Sequence, residues 1–144
     1  MNLSELDDAL FKYFSNENDR KILEKIIESY NSNDWEKYKL VDDNVDYLKN
    51  IVKSKYNQQL YVIIIITWNP NKYIKIHNHA ENGCIFKILE GSLIEKKYNT
   101  NLEIMNINNC KQDTISYIDN NIGYHSITNN NDQNTYSLHV YSPF

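Results

Sequence analysis

Four histidines, His77, His79, His125 and His139, all lie in the second half of the chain. His77 and His79 are two residues apart, and on a β-strand residues i and i+2 project from the same face. Two neutral imidazoles side by side can take adjacent positions on a metal ion. A third ligand must then come from another strand, and His125 or His139 could supply it. Imidazole suits zinc, copper, iron and nickel alike, so residue type does not choose the metal. Taken alone, the His-x-His pair reads as a chance feature of an exposed strand. Cys84 and Cys110 are too few and too far apart for a cysteine-rich zinc site. They are expected as free thiols of an intracellular protein. Ser137, His139 and Tyr141 alternate, so a strand there would turn all three to one side.

The elements that must carry these residues differ between the two parts of the chain. Before Leu60 the apolar spacing is helical. Ser4 with Asp7 forms a plausible capping box for a helix bearing Leu6, Leu10, Phe11 and Phe14. A second helix is expected from about Asp19 to Tyr30. Asn33 or Asp34 could cap a third, carrying Trp35, Tyr38 and Val41. From Leu60 onward, short segments rich in Ile, Val, Tyr and Thr alternate with polar turns. Strands are expected near 60–68, 73–79, 84–90, 92–99, 102–107, 114–118, 123–129 and 135–142. Eight short strands in one run suggest a closed barrel or a double-sheet jelly roll. The expected organisation is mainly β: a single domain over 1–144, with a mostly helical segment 1–59 and a β-barrel 60–144.

Composition narrows the function classes. The chain has 144 residues, a hydrophobic fraction of 41% and a formal net charge of −4, which fits a folded protein. It shows no basic stripe, which argues against nucleic acid as a partner. The longest apolar run, Leu60 to Ile66, is far shorter than the ~20 residues that span a bilayer. The acidic start, Met1-Asn2-Leu3-Ser4-Glu5, lacks the regions of a signal peptide. A cytoplasmic protein without a membrane partner is expected.

What surrounds the histidines adds a resemblance. Cys84 follows His79 by five residues and Gly91 follows Cys84 by seven. This resembles the first cupin motif, with Cys84 where the usual Glu ligand stands. His125 with Asn129 resembles the second motif, although Gly123 is one residue closer to the histidine than usual. More narrowly, Thr67-Trp68, His77-Asn78-His79-Ala80 and the run from Cys84 to Glu95 resemble the central block of cysteine dioxygenases. Tyr117-Ile118-Asp119, Gly123-Tyr124-His125 and the run from Ser137 to Pro143 resemble that family's C-terminal block. Asp34-Trp35 and Tyr47-Leu48-Lys49-Asn50 resemble its N-terminal helices and substrate-binding turn. The likeness runs from about Asp34 to the last residue, and the joint order of the blocks carries it.

The resemblance implies a cupin barrel holding Fe(2+) through three histidines and no carboxylate, at positions that fall on His77, His79 and His125. It implies oxidation of a small thiol by dioxygen to a sulfinic acid, a product not normally reversible. Cys84 and Tyr141 match a pair that forms a thioether cross-link beside the iron. Ser137 and His139 match the hydrogen-bonded row that orients the tyrosine. Tyr47, Lys49 and Trp68 match residues of the substrate pocket. Lys49 stands where cysteine-specific members have Arg, and an ammonium lacks the planar fork that grips a carboxylate at two points. Typical members also continue for several strands past the Ser-Pro block, so an exposed edge or pairing with a second copy is expected, as monomer or homodimer. Two other classes are compatible with the same residues. One is an inactive cupin module that binds a metal or small ligand, and the other is a different cupin enzyme.

Overall fold

A computed structural model describes residues 1–16, 19–77, 83–119 and 121–142, with the backbone alone at 76–77. Helix α1 spans Leu3–Asn16 and buries Leu3, Leu6, Leu10 and Tyr13. Its capping box differs from the expected one. The Asn2 carbonyl oxygen Oδ1 accepts from the Glu5 backbone N–H at 2.9 Å, and the Glu5 carboxylate accepts from the Asn2 N–H at 2.9 Å. Ser4 lies inside the helix. Asp7 is buried and accepts from the Ser54 hydroxyl, the Lys55 N–H and the Tyr61 hydroxyl, which ties α1 to the chain entering the barrel.

Helix α2 covers Arg20–Ser29, with Asp19 accepting from the Lys21 N–H as its cap. The expected third helix is a single short 3-10 turn, Asp34–Tyr38, and Asn33 makes no capping bond. The Asp34 carboxylate is committed elsewhere, accepting from the Leu3 N–H at 2.8 Å and the Tyr30 hydroxyl at 2.7 Å. It binds the start of α1 to the end of α2 and so is not used to start a helix. Val41 is exposed.

Among the described residues nine strands follow: β1 Tyr47–Val52, β2 Val62–Trp68, β3 Lys72–His77, β4 Cys84–Glu90, β5 Leu93–Tyr98, β6 Ile104–Cys110, β7 Ile115–Ile118, β8 Tyr124–Asn129 and β9 Thr135–Tyr141. β1 falls within the segment expected to be mostly helical. Its support is non-local, since it pairs antiparallel along the edge of β2, from Tyr47 opposite Trp68 to Val52 opposite Ile63. The strand expected at 102–107 begins at Ile104 and runs on to Cys110.

All the pairings among these strands are antiparallel. One sheet has the order β1-β2-β9-β4-β7 and the other β3-β8-β5-β6. The fold is a cupin-type double-stranded β-helix preceded by two short helices, mainly β as expected. Two cores lie on opposite faces of the larger sheet. Ile63, Ile65, Ile85, Leu138 and Val140 pack outward against Leu6, Leu10, Ile27, Tyr30 and Trp35. Ile64, Ile66, Trp68, Phe86 and Ile88 pack inward with Leu93, Cys110 and Ile127 of the facing sheet. Burial on both faces explains why β2 reads as an unbroken apolar run without alternation. Fully burying each such Ile or Leu contributes roughly 1.5–3 kcal/mol.

The turn into β8 depends on glycine. Gly123 has φ of +133°, and a Cβ there would meet the Tyr98 carbonyl oxygen at 2.0 Å. This close approach places β8, and with it His125, against β5. Among the described residues no helix is long and apolar enough to cross a membrane.

Candidate active site

The inward face of β9 carries Ser137, His139 and Tyr141 between two neighbours. Ile66 and Ile64 of β2 lie opposite Ser137 and His139. Ile88, Phe86 and Cys84 of β4 lie opposite Ser137, His139 and Tyr141. Cross-strand partners share a face, so Cys84 and Tyr141 are direct neighbours across the β4–β9 ladder. The His139 ring stacks on Phe86, with centroids 5.0 Å apart, and on Tyr141 at 5.9 Å.

A directed chain of hydrogen bonds runs through this row. The Trp68 indole Nε1–H can only donate, and it donates to the Ser137 hydroxyl oxygen at 2.7 Å. Ser137 Oγ lies 2.7 Å from His139 Nε2. Donation from Ser137 to Nε2 gives the buried hydroxyl hydrogen an acceptor and assigns the ring proton to Nδ1. That nitrogen faces the Cys84 sulfur at 3.6 Å.

Burial pushes the Cys84 thiol up to about 12, and the Glu95 charge adds to this. The Tyr141 side-chain bond and the Lys49 charge pull the other way. Burial and the adjoining Cys84 also raise the Tyr141 phenol far above its ordinary value. Both groups are therefore neutral at physiological pH.

Tyr47 and Lys49 reach the same region from β1. The Tyr47 ring lies 5.4 Å from Trp68, and the Lys49 ammonium sits 5.6 Å from the Tyr141 ring centroid and 5.8 Å from that of Tyr47. Each such contact is worth on the order of 0.5–1 kcal/mol at an exposed position. Lys49 is exposed as a residue, yet its charged end is held at the edge of the aromatic row. Tyr47, Lys49, Trp68, Cys84, Ser137, His139 and Tyr141 thus form one continuous patch. The residues expected in a turn lie on a strand instead, which gives Tyr47 and Lys49 a common face.

His125 belongs to the opposite sheet, on β8, and is buried. Its Nδ1 lies 2.8 Å from Glu95 Oε2. Glu95 is fully buried, at 0% exposure. The Ser116 hydroxyl donates to Glu95 Oε1 at 2.6 Å, and the Lys97 ammonium stands 3.9 Å from that oxygen. Burial is the strongest influence on this carboxyl and pushes it upward. Hydrogen bonds from His125 and Ser116, with the charge of Lys97, outweigh burial and hold it below the usual glutamate value.

The two sheets separate the candidate third ligands. His139 lies in the hydrogen-bonded row of the larger sheet, while His125 pairs in register with His77 across β3 and β8, beyond a bulge that follows Ile74. His79 and the His77 side chain lie outside the described residues, and among the described residues no three potential metal-binding side chains converge. The donor chemistry at His125 nonetheless fits a metal. A carboxylate on Nδ1 fixes the proton there and makes Nε2 the basic nitrogen, a common arrangement for ligating histidines.

Glu95 is the site residue that motif reading passes over. A signal exists: Leu93, Glu95 and Lys97 alternate within β5, so once Leu93 is placed in the core Glu95 must be inside too.

A two-sheet antiparallel barrel, with one histidine held by a buried carboxylate and a second on the adjoining strand, defines a cupin with a candidate metal centre. The chain belongs to the cysteine dioxygenase type I family, whose pattern matches residues 3–144. It is 28% identical over 134 residues to cysteine dioxygenase type 1 of Danio rerio and 30% identical over 138 residues to that of Bos taurus. Each match covers 84% of this chain and 64% of the relative, so the chain spans less than two thirds of these proteins' length. Among solved structures, TT1209 of Thermus thermophilus superposes with a TM-score of 0.62 at 13% identity, covering 78% of this chain and 96% of that one. The cupin domain of Schizosaccharomyces pombe Cnp3 gives 0.56 at 11%, covering 68% and 61%. These two share the fold.

Proposed function

We propose that the protein is an iron(II)-dependent thiol dioxygenase that converts cysteine, or a close thiol acid, to its sulfinic acid. The overall change is R–SH + O2 → R–SO2H, with both oxygen atoms ending on sulfur. The observation that carries this reading is the continuous row Trp68–Ser137–His139 leading to Cys84 and Tyr141, with the Lys49 ammonium at its edge. His77, His79 and His125 would hold the iron, and bound iron(II) would supply a centre for a thiolate and for activation of dioxygen. Three neutral ligands leave the positive charge uncancelled, which suits an anionic sulfur. The substrate's carboxylate needs a cation, because burying it unpaired is costly, and Lys49 is placed to provide one, with Tyr47 beside it. Trp68 and Phe86 exclude water from the inner wall. Tyr141, kept neutral by burial, can donate a hydrogen bond toward the reacting atoms.

Cys84 and Tyr141 would join as a thioether, the thiol hydrogen and one ring hydrogen leaving to dioxygen as oxidant. The whole chain acts in this reading as one cytoplasmic cupin domain, monomeric or homodimeric, with a small thiol and dioxygen as partners and no nucleic acid or membrane. The exposure of Lys49 favours a second reading, a cupin module that binds a metal or small ligand without turnover.

Oxygen uptake by iron-loaded protein separates the two. Consumption of dioxygen with cysteine or 3-mercaptopropionate is expected. Lys49→Ala should lower turnover of both while leaving cysteamine, which lacks the carboxylate, little changed. Lys49→Arg should keep or improve turnover of cysteine. Iron bound without oxygen uptake on any thiol would exclude the enzyme.

A further inference from the structure

We propose that Glu95 is the positioning residue for His125, fixing the ring with its proton on Nδ1 and lending the all-histidine metal set a negative charge at one remove. The inference rests on the reading that His125 is a metal ligand. The thiol chemistry above makes no use of this carboxylate. Glu95 is fully buried on β5, in the middle of the smaller sheet. A buried anion must be paired and hydrogen-bonded to be tolerated. Here the pairing is specific: one oxygen is given to His125 at 2.8 Å, and the other is held by Ser116 at 2.6 Å with Lys97 at 3.9 Å.

Strand register makes the placement rigid. Lys97 lies opposite His125, and Glu95 opposite Ile127, in the β5–β8 ladder. Side chains two apart on one strand and cross-strand partners share a face, so Glu95, Lys97 and His125 converge without help from a loop. Ser116 comes from β7 of the other sheet, so the carboxylate bridges the barrel.

The consequence concerns charge. Three neutral histidines give a metal no anionic ligand. A carboxylate on Nδ1 raises the basicity of Nε2 and orients the ring, so part of a missing ligand charge reaches the metal through the imidazole. Lys97 and Ser116 also line a cleft of about 650 Å³ between β6 and β7, bounded further by Arg20, Ile107 and Tyr117. This cleft is lined by none of Tyr47, Lys49, Trp68 or Tyr141. Lys97 and Ser116, the further partners of Glu95, are therefore reached from a cleft that none of these four residues lines.

The experiment uses the full chain, with ¹⁵N-histidine NMR of metal-free protein at pH 8 and cobalt(II) affinity by chelator competition. In the parent, His125 should carry its proton on Nδ1. Glu95→Ala should lose that preference and weaken cobalt(II) on the order of 10–100-fold. Glu95→Gln, which keeps an acceptor oxygen but no charge, should retain the tautomer and weaken cobalt(II) by a smaller factor, separating orientation from charge. An Nε2-protonated ring or an imidazolium in the parent would overturn the proposal even if no variant folds. So would unchanged affinity in both variants. Cobalt(II) binding with the expected variant effects but no thiol oxidation would overturn the dioxygenase reading and leave the Glu95 assignment standing. Failure of the parent to bind cobalt(II) would overturn the shared premise.

Discussion

The two faces of the sheet β1-β2-β9-β4-β7 are built by alternate residues of the same strands, yet they do different work. On β9, Tyr136, Leu138 and Val140 face the helices, while Ser137, His139 and Tyr141 face the barrel interior. On β4, Ile85 joins the helix-facing core, and Cys84 and Phe86 turn inward. The outer face is mostly close-packed hydrocarbon against α1 and α2, crossed by the buried Lys87 ammonium, which donates to the Tyr30 carbonyl oxygen at 2.7 Å. The inner face sets a polar row, whose buried groups bond one another, between the apolar side chains of Ile64, Ile66, Phe86 and Ile88. Stability and candidate chemistry are therefore separated by a single residue step along each strand. A one-residue slip of β9 would exchange them, so the apolar outer set also pins the register of the inner one.

The largest expected effect breaks the outer face. Leu138 is fully buried between β9 and the helices. Leu138→Ala should cost about 2–5 kcal/mol in urea unfolding, through lost transfer energy and the cavity left behind. If the faces are independent, the emission of Trp68 on the inner face, read in a Trp35→Phe background because Trp35 packs in the outer core, stays like that of the matching parent. A changed Trp68 emission would mean that they are coupled.

A smaller effect is expected from the inner face. Ser137→Ala removes the partner of both the Trp68 indole N–H and His139 Nε2, each at 2.7 Å. Leaving the buried Trp68 indole N–H without its acceptor costs about 1–3 kcal/mol. Here stability should fall less than in Leu138→Ala while Trp68 emission shifts. Equal stability with unshifted emission would show that the row is not bonded as described.

This contrast also explains what the sequence can disclose. Period-two alternation is local, so Ser137, His139 and Tyr141 can be put on one face from the sequence alone, and β4 has the limits expected of it. Register is not local. That Cys84 lies opposite Tyr141 follows from β4–β9 pairing between strands distant in sequence, and spacing alone offers no such statement. The choice between His125 and His139 is open in the residues for the same reason, since it depends on which sheet each strand joins. β1 escapes notice because a short segment with charged and amide members carries little propensity, and its pairing with β2 supplies the rest. A full third helix is expected because Asp34 looks like a cap, although its carboxylate is bound by Tyr30 and by Leu3, far away in sequence. β6 reads short because its Asn-rich end resembles coil composition. The strand leaves Ile104, Met105 and Ile107 exposed, so burial gives no alternation to read there.

The smallest expected effect tests a polar group at the rim of the helical layer. Asp34 accepts from the Tyr30 hydroxyl and the Leu3 N–H. Burial is the leading influence on its carboxyl and pushes it upward. The bonds from Tyr30, Leu3 and Ser32, with the Lys37 charge, outweigh burial and leave it below the ordinary value of 3.8. A carboxylate depressed in the folded state contributes stability that is fully present above its unfolded value and is lost as pH falls through the folded value. The contribution should therefore be intact at pH 6 and fade below about pH 4. Because Asp34 is only half-buried, solvent screening keeps it to about 1 kcal/mol or less. Asp34→Asn removes the titration while preserving shape, and it should be slightly less stable than the parent at pH 6. Urea midpoints measured from pH 6 to pH 3 should then converge, since the parent loses at low pH what the variant never had. Parallel curves would mean that Asp34 is held no more tightly in the folded protein than in the unfolded chain. The charge of Asp34 would then add nothing to the outer layer, leaving the buried Asp7 and Lys87 as its charged ties.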